Sequence, residues 1–295
     1  GPIKYSVLPT LLTDDELVGG NGIISAGTFL SILIGTIIGG LFILGPNGSL
    51  IISSITVSAS LIGWGTSLKI NSLPPIKKTK ISFNFIGDSI LILKKSMKQK
   101  WTKLSILGIS WFWFIGATFM AQFPTFGKYI IGGSETVVTL FLTTFSIGIA
   151  LGSVTCNSLL KGRISALYVP FGALGMSLFM VDLWWVSQNI TAASPLIEVS
   201  EFLKIGTHIR VIVDLTLIAF FGGLYIVPLY ALLQKEAPND QKSQFIAANN
   251  IINALFMVIS AILIVILLSL RFSVIDIFLT VAAINIIAAL KLCEL

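Results

Sequence analysis

Long runs of apolar residues, separated by short polar loops, fill most of the chain. A helix needs about 20 apolar residues to cross a bilayer. Runs of about this length predict eight complete spans, at residues 19–44, 49–68, 104–123, 136–156, 166–186, 211–233, 245–268 and 274–292. Residues 1–9 are also apolar, and we interpret them as the end of a further helix that begins before Gly1. The pattern therefore predicts an all-α membrane protein.

Residues 69–103 break this pattern. They contain Pro74-Pro75 and a cluster of lysines: Lys69, Lys77, Lys78, Lys80, Lys94, Lys95, Lys98, Lys100 and Lys103. Apolar residues recur among them at spacings of three and four, which predicts a helix with one apolar face: Phe83, Ile86, Ile90, Leu93, Met97 and Trp101. Such a helix lies on a membrane surface. We interpret the segment as a linker between two halves of the protein; the alternative is a regulatory site for anionic lipid.

Composition supports the membrane assignment. Hydrophobic residues make up 55% of the chain and charged residues 11%, whereas a soluble domain has about 25% charged residues. The net charge of +6 would favour a nucleic-acid partner in a soluble protein. Here the basic residues follow the positive-inside rule, so no nucleic acid is expected. With residues 69–103 in the cytoplasm, fourteen basic residues lie inside and four outside: Lys128, Lys204, Arg210 and Arg271.

Motifs for enzymatic or metal chemistry are missing from the sequence. It has no phosphate-binding loop, no G-x-S-x-G nucleophile and no His-Glu zinc pattern. Cys156 and Cys293 fall at predicted span ends and form no metal-binding pattern. His208 falls in a predicted loop without a second ligand nearby, and we interpret it as solvated. We therefore expect no catalytic residue, no cofactor and no metal site.

Two distant stretches of the chain can be aligned with each other. Residues 1–29 match residues 222–257: Val7-Leu8-Pro9 falls on Ile226-Val227-Pro228, and residues 21–26 fall on residues 249–254. In a membrane protein such a repeat indicates two related halves around a central site. A chance match between short gapped segments is the alternative.

Charged residues inside apolar spans are candidates for function because burying them in a membrane is costly. Lys4 lies near the inner end of the first partial helix, where its ammonium group could meet a lipid phosphate or a carboxylate, or simply extend to the membrane surface. Asp182 lies deeper in its span and is a candidate substrate contact; the alternative is that it lies close enough to the helix end to reach the lipid headgroups. Asp214 and Asp276 are predicted to begin their spans, where the helix dipole suits acidic groups.

Amide side chains occupy matching positions in the two repeat-related spans. Asn21 lies early in one span, and Asn249, Asn250 and Asn253 lie early in the other. Amides in such positions usually bond to a neighbouring helix, and the alternative is contact with a substrate headgroup. We include Asn21, Asn249 and Asn253 among the candidate substrate-binding residues.

Aromatic and small residues provide two further features. Trp111 and Trp113 lie too far into their span to form an interfacial belt, so they either line a cavity for an amphiphile or face lipid. The spacings Gly35-x-x-x-Gly39 and Gly148-x-x-x-Gly152 are typical of helices that approach closely. Such contacts suit either sliding helices or static packing.

Four motifs carry a resemblance to a known family: residues 1–9 (GPIKYSVLP), 21–40 (NGIISAGTFLSILIGTIIGG), 110–114 (SWFWF) and 222–234 (GGLYIVPLYALLQ). They resemble the lysophospholipid transporter branch of the major facilitator superfamily. The similarity is greatest to the transporter module that some bacteria fuse to a phospholipid acyltransferase and an acyl-carrier-protein synthetase, and it runs along most of the chain.

The resemblance implies a partial major facilitator fold, from the end of helix 4 through helix 12, so that three whole spans and most of a fourth would precede Gly1. Residues 1–68 would be the remainder of the N-terminal six-helix half, 69–103 the cytoplasmic linker and 104–295 the C-terminal half. The implied activity is movement of lysophospholipid across the bacterial inner membrane by alternating access. Membrane lipid, the lysophospholipid and an acyltransferase are the implied partners.

The resemblance also assigns individual residues. Lys4 falls in a motif similar to the family's P-x-K-Y-G, which implies contact with the substrate headgroup. Ser25 stands where the family often has the acidic residue of N-x-x-x-E-A, so the polar site departs from the family pattern at this position. Two alternatives to a lysophospholipid transporter remain: a carrier of another small solute, and a non-transporting membrane anchor linked to an acyltransferase.

Overall fold

The computed structural model describes residues 2–43, 45–69 and 84–292. Within these ranges the chain forms helices and a single isolated β-bridge, between Gly133 and Ile197. The helices are α1 (Pro2–Leu11), α2 (Leu17–Phe42), α3 (Gly48–Ser67), α4 (Phe85–Ser96), α5 (Lys100–Thr125), α6 (Glu135–Leu160), α7 (Val169–Gln188), α8 (Val199–Phe202), α9 (Gly206–Glu236), α10 (Lys242–Ser269) and α11 (Val274–Leu292). A π-helical turn, Phe126–Ile131, extends α5.

Eight of the described helices are long and apolar enough to cross a membrane: α2, α3, α5 with its π-helical turn, α6, α7, α9, α10 and α11. The all-α fold and the eight predicted spans are confirmed. The predicted span ended at residue 123, just before Pro124. In the structure α5 continues through Pro124 to Thr125, and the π-helical turn follows it directly. The predicted division at residues 68 and 103 stays a prediction.

Helix α9 begins earlier than predicted. It starts at Gly206 rather than at residue 211, and its first turn contains His208. The interpretation of His208 as a solvated loop residue is therefore wrong: only 5% of its surface is exposed, and its ring stacks on Phe202 at 4.6 Å. Asp214 consequently lies two turns inside α9 instead of at its start.

Helix α9 forms the centre of the bundle, with α5, α6 and α7 packed around it. The contact with α6 depends on small residues. A Cβ atom added to Gly152 would lie 1.9 Å from the carbonyl oxygen of Phe220, and one added to Gly148 would lie 2.4 Å from that of Thr216. The predicted close approach at Gly148-x-x-x-Gly152 is confirmed. Around Gly35 and Gly39, in contrast, a Cβ would meet no described atom within 4 Å.

The two segments of the repeat pack across each other. Helix α1 lies against α10, and α2 lies against α9 and α6. The approach of α2 to α6 is close at Gly22, where an added Cβ would lie 2.7 Å from the carbonyl oxygen of Ser153. This crossed arrangement places side chains from both copies of the repeat around one central space.

The predicted linker helix is present as α4, which packs against α10. The predicted face does not continue to Trp101, because α4 ends at Ser96 and Trp101 belongs to α5. Ile86 and Ile90 are exposed, which suits an apolar face lying on a membrane surface. Phe83 and the lysines at 77, 78 and 80 lie outside the described residues.

Candidate substrate cavity

A cavity of about 150 Å³ lies between the two repeat segments. Helices α1 and α2 form one side of it, and α5, α9 and α10 form the other. Its lining residues are Lys4, Tyr5, Ser25, Thr28, Phe29, Phe112, Trp113, Ile226, Tyr230 and Asn250. Three of the predicted site residues, Lys4, Ser25 and Trp113, are among them.

Lys4 provides the positive charge of the cavity. Its ammonium group donates a hydrogen bond to Oγ1 of Thr28 at 2.8 Å and lies 5.1 Å from the centre of the Tyr5 ring. None of the carboxylates that the structure describes forms an ion pair with it. A lysine that has one hydroxyl partner and no counter-ion retains donors for an anionic ligand.

Aromatic rings from both sides of the cavity meet at its wall. Tyr5 of α1 and Tyr230 of α9 stack with their ring centres 4.2 Å apart and their planes 2° from parallel. Nε1 of Trp113 in α5 donates to the hydroxyl of Tyr230 at 3.4 Å. Phe29 packs against Trp113 at 6.4 Å, which completes an apolar surface beside the charged lysine.

A pair of amides links α2 to α9 next to this cavity. Nδ2 of Asn21 donates to Oε1 of Gln234 at 2.6 Å, and Nε2 of Gln234 donates to Oδ1 of Asn21 at 3.0 Å. Gln234 also donates to the backbone carbonyl of Tyr5 at 2.9 Å. Both side chains are buried, so Asn21 bonds to a neighbouring helix, which is one of the two interpretations of its sequence position.

The two remaining polar candidates, Asn249 and Asn253, lie near the hydroxyl group of Tyr230. Oγ of Ser110 donates to Oδ1 of Asn253 at 2.7 Å, and Oγ of Ser153 donates to Oγ of Ser25 at 3.2 Å. Asn249 is fully buried close to the Tyr230 hydroxyl. Neither polar atom of its amide makes a hydrogen bond of normal geometry with a described residue. Asn249 therefore has hydrogen-bonding capacity that the described residues do not use.

Two predicted site residues lie elsewhere. Trp111 faces α11, where its Nε1 donates to Oδ1 of Asn285 at 2.7 Å, and it lines a separate apolar hollow of about 200 Å³ with Lys291. Asp182 forms an ion pair with Arg210 of α9. Neither is among the residues that line the central cavity.

Sequence reasoning missed Gln234, Tyr5 and Tyr230. All three lie inside the motifs that carry the family resemblance, and Gln234 is an uncharged polar residue near the end of an apolar span. That position was a usable signal, because a buried amide in a membrane helix needs a partner. The pairing of Gln234 with Asn21, 213 residues away, could not be inferred from spacing.

The residues that line the cavity are suited to binding a ligand. A lysine, hydroxyl groups and aromatic walls suit a ligand with one anionic group and an apolar part. Among the described residues no group of three His, Cys, Asp or Glu side chains is arranged to hold a metal ion.

Comparison with known proteins gives relatives that are named lysophospholipid transporters. The lysophospholipid transporter LplT of Klebsiella pneumoniae is 26% identical over 245 residues, which is 81% of this chain and 55% of the relative. LplT of Escherichia fergusonii is 27% identical over 246 residues, covering 80% of this chain and 54% of the relative. LplT of Photorhabdus laumondii is 26% identical over 249 residues. No family model matches the chain.

The chain spans about half the length of the curated relatives that it matches. Its eight candidate spans and its transporter relatives identify a multi-pass membrane protein. These findings confirm the resemblance carried by the four motifs: the chain is similar to proteins named lysophospholipid transporters.

Proposed function

We propose that this chain is part of a transporter that moves lysophospholipid across the bacterial inner membrane. The observation that carries the proposal is the cavity between the repeat segments, in which Lys4 lies without a carboxylate partner among the described residues. In this proposal the ammonium group of Lys4 binds the phosphate of the headgroup, and the transporter names of the relatives support the same substrate class.

The walls of the cavity favour an amphiphile over a small polar solute. Phe29, Phe112, Trp113 and Ile226 provide apolar surface directly beside Lys4. A lysophospholipid combines a phosphate with a single acyl chain, so both parts find matching surfaces. A sugar or another fully polar solute would leave this aromatic surface without a favourable contact.

Alternating access would act at the interface between α1–α2 and α9–α10. Contacts across this interface include the Asn21–Gln234 amide pair and the Tyr5–Tyr230 stack. In transporters built from repeats, rocking of one half against the other exposes a central site to each side in turn. In our proposal these two contacts separate when the halves rock apart.

We also propose an orientation and a partner. Residues 69–103 and the C-terminus lie in the cytoplasm, as the distribution of basic residues indicates. Lysophospholipid that reaches the inner leaflet is the substrate of an acyltransferase, which we propose as a functional partner. Deleting that acyltransferase in the host should cause transported lysophospholipid to accumulate without re-acylation, whereas unchanged re-acylation would contradict the partnership.

Transport by the full natural protein tests the proposal. Purified protein is reconstituted into vesicles, and uptake of a labelled lysophosphatidylethanolamine is compared with uptake of a monoacylglycerol of the same chain length, which lacks the phosphate. We expect protein-dependent uptake of the lysophospholipid, reduced by Lys4→Ala and unaffected by Lys98→Ala. Equal movement of both lipids, or no protein-dependent movement at all, would contradict the proposal.

A further inference from the structure

A second polar cluster lies near the N-terminal end of α9, away from the central cavity. Nε of Arg210 donates to Oδ2 of Asp182 in α7 at 2.9 Å, and Nη2 of Arg210 donates to Oδ1 of the same carboxylate. The side chains of Arg210 and Asp182 are 52% and 29% exposed. The bidentate pair therefore uses both oxygens of Asp182 and joins α7 to α9 at the edge of the apolar region.

Asp214 lies one turn further into α9 than Arg210, and only 1% of its surface is exposed. Its Oδ2 atom is buried and has no hydrogen-bond donor among the described residues. Because Asp214 and Arg210 are four residues apart on α9, they share a helix face, and the carboxyl group of Asp214 lies beside the Asp182–Arg210 pair, where it can form a hydrogen bond with the carboxyl group of Asp182. Two carboxylates contain no donor between them, so such a bond requires that one of them carries a proton.

The surroundings of Asp214 do not supply another positive charge. Among the described titratable groups, those that act on it are Asp182 and Arg210. The other charged side chains on the described helices packed against α9 lie in other turns or are paired: Lys4 in the central cavity, Lys100 and Lys103 in the first turn of α5, Lys242 in the first turn of α10, and Glu135 with Lys128 at 3.8 Å. On α9 itself, His208 stacks on Phe202, and Lys235 lies in the last turn.

Charge balance then favours a proton on Asp214. If both carboxylates were ionised, one guanidinium would face two negative charges, and the buried Oδ2 atom of Asp214 would have no hydrogen-bond donor among the described residues. Burial of an unpaired charge is strongly unfavourable. One proton on Asp214 removes the excess charge and also provides the donor that its contact with Asp182 needs.

A metal ion fits this cluster less well than a proton. Sites for hard cations use several oxygen ligands, about six for the common divalent ions. Arg210 already occupies both oxygens of Asp182, which leaves the carboxylate of Asp214 as the unpaired oxygen ligand of the cluster. The nearby guanidinium would also repel a cation.

We propose that Asp214 is a proton-binding site, at which the bound proton is shared with Asp182 and stabilises the Asp182–Arg210 link between α7 and α9. The proton comes from water and binds the carboxyl group of Asp214; its release leaves a second carboxylate that competes with Asp182 for Arg210. The site is separate from the lysophospholipid cavity, and its protonation can be measured whether or not the proposed transport occurs.

Infrared spectroscopy of the purified full protein in detergent tests this proposal. A protonated carboxylic acid has a carbonyl stretching band that a carboxylate lacks. We expect the wild-type protein to show such a band at neutral pH, with a shift when isotope-labelled aspartate is incorporated. Asp214→Asn should abolish the band, whereas His208→Gln should keep it.

Two further measurements test whether the proton is shared with Asp182 and whether a metal cation can replace it. Asp182→Asn replaces the acceptor of the shared proton, so we expect it to shift the frequency of the band; this result decides the question if Asp214→Asn fails to fold. Exchange of potassium for sodium in the buffer should leave the band unchanged. Absence of the band from the wild-type protein, its persistence in folded Asp214→Asn, an unshifted band in Asp182→Asn, or its loss on addition of sodium would overturn the proposal.

Discussion

Asn21 and Gln234 exchange hydrogen bonds in both directions, at 2.6 and 3.0 Å, between helices that belong to different copies of the repeat. Both amides are buried, and Gln234 reaches a third helix through the backbone carbonyl of Tyr5. The pair therefore joins α1, α2 and α9 beside the proposed substrate cavity. The free energy that this amide pair contributes to folding determines how firmly the two repeat segments are held together.

Removing both members of this pair should cost less than the sum of the costs of removing each one alone. Asn21→Ala or Gln234→Ala leaves a buried amide without its partner, and we expect each to lower stability by about 1–3 kcal/mol. The double variant should lose less than the sum of the two single losses. Thermal unfolding in detergent measures all three variants, and strictly additive losses would mean that the amides do not interact.

The close contact between α6 and α9 predicts a strong difference between two glycines. Gly152→Ala places a Cβ 1.9 Å from a backbone oxygen of α9, which cannot move without shifting the helix, so we expect a large loss of stability and of folded yield. Gly39→Ala is the matched control, because its Cβ meets no described atom within 4 Å. That change should be neutral or stabilising by up to about 1 kcal/mol.

The folded yield in membranes and the thermal unfolding midpoint in detergent compare the two glycine variants. Equal behaviour of Gly152→Ala and Gly39→Ala would contradict the packing of α6 on α9.

The stack between Tyr5 and Tyr230 predicts a graded response. Tyr5→Phe keeps the ring and should retain most of the stability, whereas Tyr5→Ala removes it and should cost about 0.5–1.5 kcal/mol beyond the loss of buried area. In a Tyr230→Ala background the extra cost of Tyr5→Ala should fall, because the ring has lost its partner. Chemical or thermal unfolding of the four proteins measures this coupling, and an unchanged cost in that background would show that the rings do not interact.

The proposed orientation can be tested by cysteine labelling in intact cells. Cys156 is buried and should not react, and Cys293 is replaced by serine. We expect Lys128→Cys to react with a membrane-impermeant thiol reagent added outside, and Lys98→Cys to react only after the membrane is opened. The reverse pattern would place residues 69–103 outside the cell.

The eight spans were predictable from sequence because each one is a long apolar segment, and this property decides insertion into a bilayer. The beginning of α9 was not predictable from hydropathy: His208 and Arg210 look like loop residues until Phe202 and Asp182, from other segments, appear as their partners. Partners of this kind belong to the tertiary structure and have no local signature.

The candidate site, too, was predictable from the sequence only in part. Lys4 was found because a charge in an apolar helix is unusual, and the structure places it in the central cavity. Trp111 and Trp113 could not be told apart from sequence, although they lie on different faces of α5. One reaches Asn285, while the other reaches Tyr230. Helical spacing shows that two such residues point to different faces of the helix, but it does not reveal which neighbouring helix each one contacts.

The most direct test of the central claim is the affinity of the full protein for a lysophospholipid and for a monoacylglycerol with the same acyl chain, each measured with wild type, Lys4→Arg and Lys4→Ala. If Lys4 binds the phosphate, Lys4→Ala should weaken lysophospholipid binding by about tenfold or more, since a hydrogen bond to a charged group contributes about 1.5–3 kcal/mol. Lys4→Arg should retain much of the affinity, and monoacylglycerol binding should not change. An equal loss for both lipids, or no loss for either, would contradict the assignment of this cavity as the headgroup site.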